Sequence, residues 1–309
     1  MPANHPLPTE DEVKGYFERH SNWGRWGEAD SSGTINLITP EKRREAATLV
    51  RSGRSVSLSH RLNTLGGPGN RTPAQHFLRF GEDFSIDYIG ISYHGYATTH
   101  IDALCHIFWE GKGWNGRPAA AMVTSLGARA GAVDAWVDGI ATRGVLIDIP
   151  KFRGVPHVTL DEPVRGWEIE AAAAKQGVEL RPGDALIVHS GRASYYAAHP
   201  EAEQGAPPTP GLHADVVPVL HRRDIALLGW DMMDARPSGY PIFENPPRAG
   251  GPVHVFAIVF LGLPLLDNAR LEPLAEACAQ EGRYEFMLTV NPLNVRGGTG
   301  SPVNPIAIF

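Results

Sequence analysis

Short apolar runs, each bounded by turn residues, dominate the pattern of hydrophobic and polar positions along the chain. Runs of this length without a helical period are typical of strands buried on both faces. They predict strands at residues 145–149, 185–188, 225–228, 253–261 and 286–290. Strict alternation of apolar and polar residues predicts a further strand at 56–62.

Three helices are predicted between these strands. The first begins at Thr39 as N-cap, with Pro40 in the first turn, and ends at Gly53. The second runs over about 167–177 and the third over about 271–282. The order of elements lacks a regular strand–helix–strand alternation, so the sequence predicts a mixed sheet in an α/β fold.

The chain is predicted to be one domain preceded by a short extension. Residues 1–20 form the predicted N-terminal extension, of which residues 1–12 are polar and acidic, and no linker divides residues 21–309. The extension has no basic segment followed by an apolar one, as a secretory signal would. The longest apolar run, 255–266, is shorter than the roughly 20 residues of a membrane span. We therefore expect a cytoplasmic protein that does not enter a membrane.

Charge and cysteine content exclude several classes of function. The 309 residues include 28 Lys and Arg and 34 Asp and Glu, which gives a net charge of −6. Nucleic acids and anionic membranes select clustered basic residues, so the expected partner is a small molecule. Cys105 and Cys278 are too few for a disulfide framework or a thiolate zinc site, and we expect two buried thiols.

Residues 93–106 carry the strongest chemical signal. If this segment is extended, alternate side chains share one face. That face then presents His94, Tyr96, Thr98, His100 and Asp102. His100 and Asp102 could reach one ion, and an imidazole with a carboxylate suits Zn²⁺ or Mn²⁺. The alternative is a hydrogen-bonded polar strand that stabilises a turn.

Other candidate site residues lie outside this segment. His254 opens the predicted strand 253–261, where it is either a further ligand or a buried core histidine. Asp267 closes the same apolar stretch, and its alternative role is a helix N-cap. Trp26 and Trp109 are candidates for an aromatic substrate wall, the alternative being core packing.

The stretch Thr99-His-Ile-Asp-Ala-Leu-Cys-His106 resembles the core motif of the cyclase family, which includes bacterial kynurenine formamidase, isatin hydrolase and a trans-dienelactone hydrolase. Matching stretches at 23–27, 33–37, 182–184, 252–254, 266–268 and 297–305 extend the resemblance over roughly residues 20–309. The resemblance implies an α/β swivelling β/β/α domain with a mixed, barrel-like central sheet. It also implies assembly as a homodimer or homotetramer.

The resemblance also implies roles for individual residues. In the formamidase branch the motif reads His-x-x-x-His-x-Asp-x-x-x-His, in which the first three named residues bind metal and the last shuttles protons. Here His100 and Asp102 match metal ligands and His106 matches the shuttle, while Tyr96 stands at the first histidine. The resemblance therefore leaves open whether the site holds one metal ion or two. His254 lies where a later ligand would come from.

The remaining residues take supporting roles in the same comparison. Asp267 stands where the formamidase has a bridging Glu, and is shorter by one methylene, so it is an optional ligand or a support for one. His94 or Tyr96 could orient a ligand or the substrate.

The implied activity is a metal-dependent hydrolase that uses activated water to open an amide, lactam or lactone of a small aromatic or cyclic substrate. The implied cofactor is a divalent cation, Zn²⁺ or Mn²⁺. Two alternatives stay open. One is a lyase or cyclase in which His106 removes a carbon-bound proton, and the other is a non-catalytic protein that binds a small molecule.

Overall fold

The computed structural model describes residues 5–67, 69–202, 204, 207–244 and 250–309. Its strands, in chain order, are β1 (Ser55–Ser57), β2 (Gln75–Phe80), β3 (Ser85–Gly90), β4 (His100–Asp102), β5 (Val123–Thr124), β6 (Gly127–Ala128), β7 (Ile140–Asp148), β8 (Ala185–His189), β9 (Leu227–Trp230), β10 (Leu265–Asp267), β11 (Glu285–Val290), β12 (Gly300–Pro302) and β13 (Ile306–Ile308).

Nine of these strands form one mixed sheet, curled into a half-barrel, in the order β1-β13-β11-β7-β8-β9-β10-β4-β12. The neighbours from β7 to β10 pair in parallel, and the other pairs are antiparallel. The strands β2 and β3 form a separate antiparallel hairpin, as do β5 and β6. The predicted α/β fold with a mixed, barrel-like sheet is confirmed.

The helices lie between and around these strands. They are α1 (Glu10–Lys14), α2 (Tyr16–Arg19), α3 (Pro40–Ala47), α4 (Ala119–Met122), α5 (Ile149–Arg153), α6 (Gly166–Lys175), α7 (Arg192–Ala198), α8 (Val217–Arg222), α9 (Pro241–Glu244), α10 (Pro252–His254) and α11 (Glu272–Glu281). Short 3₁₀ turns occur at Gly33–Leu37, Trp114–Gly116, Val133–Trp136 and Ala214–Val216, and α10 continues as a π-helix over Val255–Leu261.

Both faces of the central parallel strands are covered. In β7, Val145 and Ile147 belong to one hydrophobic core, while Leu146 belongs to a second core on the opposite face. Helices α6 and α8 contribute to the first core and α11 to the second. Burial on both faces is why these strands appear in the sequence as continuous apolar runs.

The predicted strand at 253–261 is wrong, because this run is helical. It comprises α10 and the π-helical turns that follow, and every residue from Val255 to Leu261 is buried. A helix packed on all sides has no polar face, so its sequence loses the helical period and resembles a buried strand. His254 therefore ends a short helix and does not open a strand.

The other predicted elements differ mainly at their ends. Helices α6 and α11 agree with the predictions to within about two residues, and Thr39 caps α3 through its side chain. That helix ends at Ala47 and not at Gly53, and the strand predicted at 56–62 is only Ser55–Ser57. Cys105 and Cys278 are free and buried, as predicted.

The described part of the predicted extension packs onto the domain. Val13 and Tyr16, on α1 and α2, are buried in the first core. The boundary between an extension and a domain near residue 20 stays a prediction. Across the described residues, no helix combines the length and apolar character that crossing a lipid bilayer would require.

Candidate functional site

The paired strands β4 and β10 position three candidate ligands. His100 lies directly opposite Asp267 in the antiparallel register, so their side chains share a face of the sheet. His100 Nε2 lies 3.3 Å from Asp102 Oδ1 and 3.9 Å from Asp267 Oδ2. His100 Nδ1 donates to the Thr98 carbonyl at 2.8 Å, so Nε2 is the ring atom that faces the carboxylates. The predicted common face of residues 100 and 102 is confirmed.

Asp102 is the centre of this group of residues. Its side chain is fully buried, and its Oδ2 atom has no hydrogen-bond partner among the described residues. Burial raises the pKa of Asp102, but the charge of His106 and the hydrogen bonds of His100 and His94 outweigh it and hold that pKa well below its usual range. A buried carboxylate oxygen without a donor is costly unless a cation meets it.

His94, and not Tyr96, contacts Asp102. Only His100–Asp102 is regular strand, so the expected common face does not extend back through residues 94 to 98. The chain instead bends there, and His94 lies with Nδ1 3.0 Å from Asp102 Oδ1 and Nε2 3.0 Å from Thr299 Oγ1. Tyr96 lines the adjacent cavity, and its backbone carbonyl accepts from Arg192 at 2.8 Å.

His106 lies beside the same carboxylate. Its ring stacks on that of His94, with centroids 3.8 Å apart and planes 2° from parallel. Its Nε2 lies 3.7 Å from Asp102 Oδ2, beyond hydrogen-bond distance. Burial, only partly opposed by the charge of Asp102, lowers the pKa of His106 to about 4. The ring is therefore neutral near pH 7 and able to accept a proton.

His254 and Asp267 are the remaining candidate ligands near Asp102. His254 Nε2 lies 3.1 Å from Asp267 Oδ2 and 4.0 Å from Asp102 Oδ2. His254 Nδ1 is hydrogen-bonded to Asp234, and Trp230 Nε1 donates to Asp267 Oδ1 at 2.5 Å. Burial lowers the pKa of His254, but the charges of Asp267 and Asp234 outweigh it and raise that pKa well above its usual value.

These side chains form two overlapping donor sets. One is His100, Asp102 and Asp267, and the other is His94, Asp102 and His106. Within each set, the potential ligand atoms lie within 4.8 Å of one another. Asp102 belongs to both, and its unpartnered Oδ2 is the atom that a cation would satisfy. Imidazole nitrogens with carboxylate oxygens suit Zn²⁺ or Mn²⁺.

A cavity of about 280 Å³ opens onto these side chains. Besides the histidines, Tyr96, Ile107, Thr209, Met233, Asp234, Arg236 and Asp267 line it. Met233 adopts a φ of 57°, a conformation that costs a residue with a side chain about 1 kcal/mol or more and that often marks functional sites. Small substrates fit a cavity of this size.

The tryptophans proposed as a substrate wall lie elsewhere. Trp26 packs against Trp114 at a centroid distance of 6.2 Å, and Trp109 is buried against Phe17 at 5.0 Å. Neither is among the described residues that line the cavity. The structure therefore supports the alternative, in which both tryptophans pack against other aromatic side chains. A role for them in substrate binding stays a prediction.

Three residues that position the site, Asp234, Trp230 and Thr299, are not predicted from the sequence. A usable signal existed for Asp234, because Asp231 and Asp234 follow the end of β9. The carboxyl ends of neighbouring parallel strands commonly border a binding crevice. No local pattern singles out Trp230 or Thr299.

Comparison with known proteins shows the family of this chain. Residues 55–236, more than half of the chain, match the sequence profile of the family described as "Putative cyclase". The fold matches the crystal structure of a novel cyclase at a TM-score of 0.82 and 30% identity, covering 94% of this chain and 99% of that one. No curated protein matches the sequence.

Two structures of lower sequence identity are similar to this chain in fold only. An isatin hydrolase bound to the product analogue thioisatinate matches at a TM-score of 0.56 and 19% identity, covering 84% of this chain and 93% of that one. A predicted metal-dependent hydrolase from Bacillus stearothermophilus matches at a TM-score of 0.50 and 11% identity, covering 82% of this chain and 97% of that one. The profile match over more than half of the chain and the 30% identical structure, which covers 94% of it, show that this chain belongs to the cyclase family.

Proposed function

We propose that the protein is a metal-dependent hydrolase that opens an amide, lactam or lactone of a small aromatic or cyclic substrate. The observation that carries the proposal is the buried, unpartnered Oδ2 of Asp102, which lies among imidazoles and a second carboxylate beside a cavity. The names of two structural neighbours, isatin hydrolase and predicted metal-dependent hydrolase, support the same reaction class.

His100, Asp102 and Asp267 would hold the divalent cation, Zn²⁺ or Mn²⁺, with His254 as a further ligand beside Asp267. When bound, such a cation polarises a carbonyl and brings the pKa of a coordinated water toward 7. The hydrogen bonds from Trp230 to Asp267 and between Asp234 and His254 fix the orientation of these ligands.

The proton transfers fall to His106. Its neutral ring borders the cavity and would accept the proton of the attacking water, then return it to the leaving nitrogen or oxygen. The parallel stack with His94 holds the plane of the ring, and His94 is itself fixed between Asp102 and Thr299. Tyr96 borders the same cavity and would contact the substrate.

Metal removal tests the proposal directly. Protein purified without chelator is expected to contain at least one equivalent of Zn²⁺ or Mn²⁺ by elemental analysis. It should release a carboxylic acid from at least one of an aryl formamide, isatin and an unsaturated lactone. Activity should disappear on chelation and return when the same metal is added back, because the polarising cation supplies several kcal/mol to the transition state, by typical values.

The other possible outcomes contradict the proposal or favour one of its two alternatives. Full activity after complete metal removal contradicts the proposal. Formation of a ring or a double bond without release of acid favours the lyase or cyclase. Tight binding of a panel compound without any turnover favours the binding protein.

We also propose that the chain assembles as a homodimer or homotetramer. The β2–β3 hairpin exposes large apolar side chains on both faces, with Phe77, Phe80 and Tyr88 at 61%, 79% and 58% exposure. An isolated two-stranded hairpin is only marginally stable in water, and an apolar patch of this kind is typical of an interface.

Replacing Phe80 and Tyr88 with serine is expected to lower the mass in solution toward the 33.5 kDa of one chain, as measured by light scattering after gel filtration. Glu82→Gln, at the exposed tip of the same hairpin, is the control and should leave the mass unchanged. A wild-type protein that is already monomeric at micromolar concentration contradicts this assembly.

A further inference from the structure

A second group of potential ligands lies apart from the Asp102 centre. His189 ends β8, Asp231 directly follows β9, and Glu272 is the first residue of α11. Each offers one ligand atom, and these atoms lie within 4.8 Å of one another. None of the three belongs to either donor set that contains Asp102.

The imidazole of His189 is oriented toward this group. Its Nδ1 lies 3.2 Å from Asp148 Oδ1, and a carboxylate can only accept, so Nδ1 carries the hydrogen. Its Nε2 is buried and has no hydrogen-bond partner among the described residues, and the side chain is only 10% exposed. Nε2 lies 4.0 Å from Asp231 Oδ2, which is too far for a hydrogen bond. Two ligands of one cation are commonly separated by about 3–4 Å, since each bond is about 2 Å long.

The two carboxylates are fixed by backbone amides. Asp231 accepts three bonds from the turn after His189, from the N–H groups of Ser190 (2.8 Å), Gly191 (3.0 Å) and Arg192 (3.1 Å). Glu272 Oε1 accepts from the N–H of Ala193 at 2.8 Å. These bonds hold both carboxylates beside His189 before any ligand binds, which lowers the entropic cost of binding.

The charges that act on His189 are those of three carboxylates, while the cation Lys151 lies near Asp148 and burial raises the pKa of Asp231. Asp148, Asp231 and Glu272 supply three carboxylates around one imidazole. The guanidinium of Arg192 is close, but its hydrogen bonds go to uncharged oxygens: the backbone carbonyls of Asp231 and Tyr96 and the side chain of Asn268. Burial lowers the pKa of His189, but these carboxylates outweigh it and raise that pKa, and the same negative field attracts a metal cation.

We propose that His189, Asp231 and Glu272 bind a second divalent cation, distinct from the one at Asp102. One imidazole and two carboxylates favour a transition metal such as Zn²⁺ or Mn²⁺ over Ca²⁺ or Mg²⁺, which prefer oxygen ligands alone. The cation would join the ends of β8 and β9 to the start of α11. Its role is therefore to hold these three elements of the fold together.

Glu272→Gln tests the second site, because the amide keeps the size of the side chain and removes its charge. The full-length wild type and variant would be dialysed to equilibrium against Zn²⁺, and separately against Mn²⁺, before elemental analysis. We expect two equivalents per chain in the wild type and one in Glu272→Gln. Added metal should also raise the Tm of the wild type more than that of the variant.

Two further variants separate this site from the Asp102 centre. Glu276→Gln removes an exposed carboxylate one turn along α11 and should keep two equivalents. Asp102→Asn should keep one equivalent, and adding Glu272→Gln to it should remove that one. These expected metal contents do not depend on whether the protein is a hydrolase.

The proposal is overturned if Glu272→Gln binds as much metal as the wild type and shows the same rise in Tm. That result would mean that a protonated His189 forms a buried ion group with Asp148 and Asp231. A loss of metal shared equally by Glu276→Gln would also overturn it, because the effect would then come from charge on α11 in general.

Discussion

Asp102→Asn is expected to remove one equivalent of divalent metal and to lower kcat/KM by about a thousandfold or more, since losing several kcal/mol of transition-state stabilisation has an effect of that size. Asn keeps the shape of the side chain but lacks the charge that a cation requires. Asp102 belongs to both donor sets at the cavity, so losing its charge weakens both. Elemental analysis and steady-state kinetics on the same preparation measure both effects.

The matched control is Asp138→Asn, which removes an exposed carboxylate that belongs to none of the donor sets found among the described residues. It should keep the metal content and kcat/KM of the wild type. Circular dichroism should show the same fold in both variants. An Asp102→Asn protein that is free of this metal and yet fully active would refute the assignment of the metal centre.

His106→Ala is expected to lower kcat by about 10²–10⁴-fold while leaving the metal content unchanged, because that is the usual contribution of a general acid–base group. The ring lies 3.7 Å from Asp102 Oδ2 and borders the cavity, and no hydrogen bond engages it within the described part of the chain. It is therefore available for proton transfer and is not required to hold the carboxylate in place.

Imidazole added to His106→Ala tests this role against a purely structural one. The variant leaves a space beside His94, where a free imidazole can stack and exchange protons. Partial recovery of kcat with imidazole, at constant metal content, is the expected result. Loss of metal together with kcat would instead place His106 among the ligands, in the donor set that it shares with His94 and Asp102.

The sequence predicted the features of this site that depend on neighbouring residues. The two-residue spacing of His100 and Asp102 places them on one face wherever the chain is extended, and the structure shows that arrangement. Helices α6 and α11 were predictable for a similar reason, since both carry an amphipathic pattern and end near a glycine. Local spacing was sufficient in each case.

Contacts between distant segments could not be predicted in this way. His94 reaches Asp102 only because the chain bends between residues 94 and 98. Thr299, which contacts His94, directly precedes β12 and lies about two hundred positions further along the chain. The apolar run at Val255–Leu261 predicts a strand although the segment is a π-helix, because burial on every side removes the helical period from its sequence. Tertiary packing determined these features, and one sequence without its fold does not display them.

The pairing of β4 with β10 has a consequence for how the metal centre behaves when it is emptied. These two strands lie between β9 and β12, so residues 100, 102 and 267 cannot separate unless backbone hydrogen bonds of the main sheet are broken. Amides in such a position should exchange with deuterium only through large-scale unfolding. A demetallated chain would accordingly keep its donor atoms in register, and reloading would proceed as simple association without a refolding step.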